Sequence, residues 1–307
     1  MNILITGGAG FIGSHLCDYL LKDGHNITVI DDLSSGDISN LTNSISNIKF
    51  YEQKIESFDF SVLKNIDSVF HLASQTSVPV SIADFKNSSS SNLLATIKII
   101  DFCKSNGSSL VYASSAAVYG NLDSADDLKP NVDLLSPYAA DKFALEIYAG
   151  ISNKLYGLSS IGLRFFNVYG PRQDPKSNYS GVISIFIDRI LSGQGITIFG
   201  GEQTRDFIYV DDIVNLLSVS LSKVKEKIIC EQVNALTGKS SSINEIANLL
   251  IDATGVETVK TYKDQLAGDP KQSNGTTQNM ENFFSIDLRE MTNIKKGLNA
   301  TVKFIKQ

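Results

Sequence analysis

The chain has 307 residues, 42% of them hydrophobic and 20% charged, with a net charge of −6 at pH 7. That length supports one large or two medium domains with a sizeable core. The acidic balance excludes a general nucleic-acid binder, which needs a basic surplus to neutralise phosphates, but not a small anionic ligand held by one or two cations.

Three cysteines, Cys17, Cys103 and Cys230, lie far apart and form no C-x-x-C pair; His15, His25 and His71 add no metal-ligand spacing. No metal is expected, and the thiols read as buried and reduced. No leader of signal-peptide type and no run of membrane-span length is present, so no membrane partner and a cytoplasmic location are expected.

In chain order, "NILIT" (2–6) reads as a buried strand ending in a glycine-rich turn, and "HLCDYLLKDG" (15–24) carries helical spacing closed by Gly24. "NITVIDD" (26–32), "SVFHLA" (68–73), "SLVYASS" (109–115), "SIGLRFFN" (160–167) and "EQVNAL" (231–236) are further short strands. Helical patterns such as "NLLATIKIIDFCK" (92–104) separate most of them. Alternating strands and helices predict right-handed crossovers and a parallel sheet. The serine- and asparagine-rich stretches 34–47 and 87–92 read as surface loops.

After Asn167 the rhythm changes. A polar loop (170–181) leads to a helix, "VISIFIDRILSG", and to the short strands "TIFGG" and "RDFIYV". An amphipathic helix, "SINEIANLLIDAT", and a polar loop around 263–279 follow. The expected fold class is therefore α/β: a Rossmann-type doubly wound parallel sheet with a smaller C-terminal α/β domain. Residues 1–166 and 207–237 are expected to form the dinucleotide-binding domain, and 167–206 and 238–307 the smaller one.

"TGGAGFIG" (6–13) sets Gly7, Gly10 and Gly13 between a strand and a helix. Gly7 permits the tight turn, Gly10 lets backbone approach a pyrophosphate, and Gly13 lets the helix pack on the sheet, with free helix N–H groups facing the phosphates. Asp31 ends the next strand, where a carboxylate accepts from both ribose hydroxyls and repels a 2′-phosphate. No arginine occurs before Arg164, so NAD is favoured over NADP. Asp32 is a turn former or a ligand.

In "SPYAADK", Ser136 is a good N-cap and Pro137 suits the first helical position. Tyr138 and Lys142 then share one helix face at i and i+4. A phenol is almost wholly protonated at neutral pH. A cation about 4 Å away, at an effective dielectric near 20, favours the phenolate by about 4 kcal/mol. One lysine, helped by a nicotinamide cation, is therefore expected to turn this tyrosine into a base near pH 7.

The segments "TGGAGFIGSHL", "HLASQ", "YASSAAVYG", "SPYAADKFALE", "LRFFNVYGPRQDP" and "QTRDFIYVDDIV" together resemble the extended short-chain dehydrogenase/reductase superfamily over nearly the full length. That resemblance implies Ser115, Tyr138 and Lys142 as the catalytic set. It implies that Phe11, Ile12, Asp31, Asp32, Ser35, Gly36, Ile55, Leu72, Ala73, Ser74, Gln75, Asn92 and Phe166 lie beside NAD with the glycines. In the dehydratases and decarboxylases of this superfamily an acid sits just before "VYG"; here Ala116 and Ala117 stand there. What remains is the set used by the UDP-hexose 4-epimerases, which oxidise the sugar 4-hydroxyl, let the keto sugar turn, and reduce its other face.

The same resemblance implies a UDP-sugar site built from Ser115, Ala116, Tyr138, Asn167, Gly181, Val182, Phe199, Arg205, Asp269 and Ser273, and a homodimer formed through 92–104 and 137–155. Taken alone, Arg205 is equally a surface ion-pair residue, and Ser273 a plain loop residue. Ser273 would admit an N-acetyl group where a tyrosine would exclude it. The chain departs from the pattern at "GGE", at Leu266–Ala267 where an arginine is common, and at Lys54 where an aspartate meets adenine. The alternatives are a UDP-glucuronate 4-epimerase, a net-redox sugar-nucleotide reductase, and a non-enzymatic dinucleotide-sensing regulator.

Overall fold

The computed structural model describes residues 1–129, 131–177, 180–265 and 270–306. In chain order the strands are β1 (Asn2–Thr6), β2 (Asn26–Asp31), β3 (Ile48–Glu52), β4 (Ser68–His71), β5 (Ser109–Ser115), β6 (Ser160–Phe165), β7 (Asn167–Tyr169), β8 (Ile196–Phe199), β9 (Thr204–Tyr209), β10 (Cys230–Ala235), β11 (Ser240–Ser242), β12 (Lys260–Lys263) and β13 (Gln272–Ser273). The helices are α1 (Phe11–Lys22), α2 (Val78–Ala83), α3 (Phe85–Ser89), α4 (Ala95–Asn106), α5 (Pro137–Tyr156), α6 (Val182–Leu191), α7 (Val210–Glu226), α8 (Ile243–Thr254), α9 (Gln278–Phe284) and α10 (Ile294–Ile305).

A seven-stranded sheet runs β10-β6-β5-β4-β1-β2-β3. The pairings β1–β2, β1–β4, β2–β3 and β4–β5 are parallel. On the far side, the bonds Ser160 to Ile229 and Phe166 to Ala235 advance together along both chains, as parallel strands do. The strand order reverses at β1, the switch point where such sheets bind ligands. Helices cover the sheet, so β1 and β4 to β6 read as continuous apolar runs rather than alternating ones. This is the expected Rossmann-type architecture.

The chain divides into two compact units. One comprises Met1–Gly120, Val132–Arg164 and Val214–Val233; the other comprises Asn121–Asn131, Phe165–Ile213 and Asn234–Gln307. These bounds differ from the expected ones chiefly at 121–131 and 207–213. In the second unit β11-β9-β13 forms a small sheet with β7 also on β9, and β12 pairs β8.

One local expectation is corrected and one refined. Residues 87–92 are helical, not a loop: Asp84 caps α3 by accepting from the Asn87 amide, and Ser90–Leu94 continue as a π-helical turn into α4. Serine and asparagine are weak helix formers, and here a cap and tertiary bonds outweigh propensity. Residues 34–47 do run over the surface, but in short 3₁₀ turns that bury Leu41 completely. Among the described residues no helix is long and apolar enough to cross a membrane.

Candidate active site

The glycine turn opens on Gly7 at φ +72°, a left-handed conformation that favours glycine. A Cβ there would fall 2.7 Å from the Ala73 nitrogen, and one on Gly13 would fall 2.1 Å from the Gly7 oxygen. Gly10 is different. A Cβ on it would meet only the Gly7 oxygen, at 3.2 Å, so its outer side is open to a ligand. Gly10 is also the N-cap of α1, which leaves the Phe11 and Ile12 amides in the first turn, where no intrahelical acceptor exists. Sequence reasoning missed Gly8, whose Cβ would lie 2.6 Å from a Val29 methyl.

Asp31 is buried and its two oxygens accept from the Ala9 and Leu33 amides, both at 2.9 Å. Burial raises its pKa, opposed by these two bonds. The carboxylate thus braces the glycine loop and leaves further lone pairs for a diol. Leu33 sits at φ +56°, a strained setting for a branched side chain that this bond helps hold. Asp32 accepts from the amide and hydroxyl of Ser34, which makes it a turn former. Ser35 is exposed, and Gly36 packs on Ala9, where a Cβ would lie 3.0 Å from the Ala9 carbonyl carbon. Ile55 belongs to the apolar core under the sheet.

Past β4, Leu72 donates to the Thr6 carbonyl and Ala73 to the Thr6 hydroxyl. That hydroxyl also bonds His71 at 2.8 Å, and burial holds the imidazole neutral, with a pKa down at about 3. Asn92, in the π-helical turn, accepts from the Ser74 hydroxyl (3.0 Å) and the Gln75 amide (2.8 Å). Its own amide donates to the Gln75 carbonyl (3.1 Å) and to Asp141 (3.3 Å). Three of these four bonds fix the 74–75 loop, and the fourth ties it to α5. The Gln75 carbonyl Oε1 is buried with no partner among the described residues, a polar atom awaiting a ligand.

Helix α5 starts as expected, with the Ser136 hydroxyl accepting from Ala139 and Pro137 in the first turn. The Tyr138 amide, one of the helix's orphan donors, is satisfied by the buried Ser81 hydroxyl of α2 at 3.2 Å. Ser115 ends β5, its hydroxyl oxygen accepting from the Ala117 amide at 3.1 Å, and the hydroxyl lies near enough to the Tyr138 phenol to lower its pKa. Ala116 and Ala117 lie in the 3₁₀ turn that follows. The three expected catalytic residues are therefore brought together.

The Lys142 ammonium donates to the Ala113 carbonyl at 2.9 Å and lies 5.8 Å from the Tyr138 ring centre. Burial dominates at the phenol, and the Tyr138 pKa is raised, the Ser115 hydroxyl lowering it only in part. Burial also lowers Lys142, to about 8, against the opposing pull of Asp141. The residues of the chain alone leave Tyr138 a proton donor, and a further positive charge is needed to make it a base.

In the second unit, Asn167 of β7 donates to the Asp206 carbonyl of β9 at 3.1 Å, and Ser273 of β13 pairs in register with Arg205 of β9. Three expected substrate residues thus stand on neighbouring strands of one small sheet. Arg205 is buried, with Nη1 donating to the Thr204 carbonyl. Phe199 is partly exposed at the end of β8, and Gln203 braces the Gly200–Gly201 turn by accepting from Gly201 and donating to the Phe199 carbonyl. Gly181 caps α6 just before Val182, and a Cβ on it would lie 3.4 Å from Gln173. Phe166 is buried in this unit against Gly275, where a Cβ would fall 2.8 Å from its ring. Asp269 lies outside the described residues.

Residues 3–235 match the model of the NAD dependent epimerase/dehydratase family. The chain belongs to that family. As a member of the epimerase/dehydratase family it is 32% identical to a UDP-glucose 4-epimerase of Mycolicibacterium smegmatis, over 100% of this chain and 99% of that one. Two solved structures are similar throughout. A UDP-N-acetylglucosamine 4-epimerase from Methanobrevibacter ruminantium, in complex with UDP-N-acetylmuramic acid, has a TM-score of 0.92 at 37% identity, covering 99% of this chain and 98% of that one. A UDP-glucose 4-epimerase from Thermotoga maritima with UDP-glucose has a TM-score of 0.90 at 34% identity, covering 100% and 99%. The residues of this epimerase/dehydratase chain fit the family's NAD: an open glycine N-cap, a braced carboxylate at the end of β2 and an unpartnered buried amide oxygen at Gln75.

Proposed function

We propose that the chain is a UDP-sugar 4-epimerase that interconverts UDP-glucose with UDP-galactose, and UDP-N-acetylglucosamine with UDP-N-acetylgalactosamine, through a 4-keto sugar. The observation that carries this reading is the meeting of Ser115, Tyr138 and Lys142 beside a turn whose nearest side chains are those of Ala116 and Ala117. A hydroxyl, a phenol and an ammonium can move one proton at one sugar oxygen, and the turn brings no carboxyl group to expel water.

NAD, held at Gly7, Gly10, Phe11, Ile12, Gly13, Asp31 and the 72–75 loop, supplies the hydride acceptor and donor. Tyr138 takes the proton of the 4-hydroxyl as C4 is oxidised and returns it to the same oxygen after the keto sugar has turned. Ser115 donates to that oxygen, with its own oxygen fixed by the Ala117 amide. Lys142 holds positive charge under the phenol and orients the ribose. Arg205 binds the diphosphate, a role its fork suits. Asn167, Gly181, Val182, Phe199 and Ser273 line the nucleotide and sugar, and Asp269 is assigned with them. On this reading the first unit is the NAD domain and the second the UDP-sugar domain.

The exposed sides of α4 and α5 carry Ile97, Ile147, Ile151 and Leu155. An apolar face of that extent supports a homodimer through these helices. The free thiols, two of them buried, are consistent with a reducing cytoplasm.

The decisive experiment is nuclear magnetic resonance of the purified protein with UDP-glucose, UDP-N-acetylglucosamine and UDP-glucuronate in turn, with no NAD(H) added. The first two are expected to approach an equilibrium of C4 epimers. Turnover of the glucuronate alone, or net consumption of NADH in a parallel reaction to which it is added, would refute the reading.

A further inference from the structure

Arg164 stands in the apolar run of β6, where an unpaired guanidinium would be prohibitive. Its partner is Glu146 of α5, bound through both oxygens: Nε to Oε1 at 2.9 Å and Nη2 to Oε2 at 2.6 Å. Nη1 donates to the Tyr119 hydroxyl at 2.7 Å, and the guanidinium carbon lies 4.9 Å from that ring's centre. Glu146 also accepts from the Ser114 hydroxyl. All four side chains are buried, the two charged ones exposing 8% and 5%.

Each bond ends on a residue adjoining the catalytic set. Ser114 directly precedes Ser115. Tyr119 closes the 3₁₀ turn whose Ala117 amide orients the Ser115 hydroxyl. Glu146 follows Lys142 by four residues and Tyr138 by eight, on the same face of α5. One bidentate pair therefore ties β5, the turn after it and α5 to a single point on β6. A buried ion pair is seldom more stabilising than a well-packed apolar pair of the same volume. What a fork adds is direction, since it fixes distance and angle together. We propose that Glu146 and Arg164, acting through Ser114 and Tyr119, are positioning residues that set the Ser115–Tyr138 geometry for proton transfer. This rests on the reading of Ser115 and Tyr138 given above.

The test compares kcat, KM for a UDP-sugar and thermal midpoint across Tyr119→Phe, Ser114→Ala and the apolar double variant Glu146→Leu/Arg164→Met. Misplacement of reacting groups by about 1 Å costs on the order of 10²-fold. The double variant is expected to lose about that much in kcat, with KM within about threefold and a midpoint near the parent's, the signature of an interaction used in the transition state. Tyr119→Phe, which keeps the ion pair, is expected to lose roughly 3- to 10-fold in kcat at an unchanged midpoint, on the scale of one neutral hydrogen bond. Recovery of kcat along with stability in the double variant would mean that the pair serves folding alone and would overturn the proposal. Should the double variant not fold, parental kcat in both Tyr119→Phe and Ser114→Ala would overturn it equally. Tyr138→Phe is run alongside. If that variant is inactive while the network variants match the parent, the positioning role fails and the catalytic reading stands; if it is fully active, the catalytic reading itself fails.

Discussion

The surroundings of Tyr138 and those of Arg205 are built by different means. Around Tyr138 nearly every polar atom is spent: Ser81 on its amide, Asn92 on Ser74, Gln75 and Asp141, Glu146 and Arg164 on each other. Around Arg205 the small sheet is short, and Phe199 stands at a turn of two left-handed glycines. The first arrangement suits chemistry, in which small displacements are costly. The second suits recognition, in which side chains can be exchanged without disturbing a core. Residues of the first kind should act on turnover, and residues of the second on affinity and choice of sugar.

Tyr138→Phe is the largest test. Turnover is expected to fall by about 10² to 10⁴, the usual worth of general acid/base catalysis, with UDP-sugar affinity retained in a calorimetric titration. Arg205→Ala should do the reverse. Loss of a charge-assisted contact is expected to raise KM about 10- to 100-fold while kcat changes little. A large drop in kcat with KM unchanged would erase the contrast.

Ser273→Tyr is expected to shift the ratio of kcat/KM for the acetylated and plain sugars about tenfold against the acetylated pair, by overpacking. An unchanged ratio would remove Ser273 as the gate. The smallest effect is in pH. With Lys142 at about 8, its charge is lost as pH rises through that value, so kcat/KM, which reports the free enzyme, should fall about fourfold by pH 8.5. Stability should move the other way. Between pH 8 and 10.5 the unfolded lysine keeps a proton that the folded one has shed, so this group adds stability as pH rises. Thermal midpoints that fall in step with activity would assign the limb to unfolding.

Helix α5 was legible because its signals are local: a cap at Ser136, Pro137 after it, then Tyr138 and Lys142 on one face. The glycine turn was legible for the same reason. Spacing defines a face but not a distance, so the Lys142 bond to Ala113 lay beyond it. The Glu146–Arg164 pair carried a readable signal, an arginine inside an apolar strand, although its partner's identity needed the fold. Residues 87–92 were misread because composition outvotes periodicity in a short polar stretch. Helix α7 and strand β3 were absent from the expected elements, although α7 buries Ile213, Val214, Leu217, Leu221 and Val224 at helical spacing.

The π-helical turn at Ser90–Leu94 has a consequence for chain length. Such a turn holds one residue more than an α turn, so the helical segments on either side are out of phase by about 100°. Deleting one residue there would let the helix run straight and would cost no regular hydrogen bond. It would also rotate Asn92 away from Ser74, Gln75 and Asp141, or else turn Ile99 and Cys103 of α4 out of the core. A shortened chain would keep its helix content and lose either its loop anchor or its packing, which makes this turn intolerant of deletion.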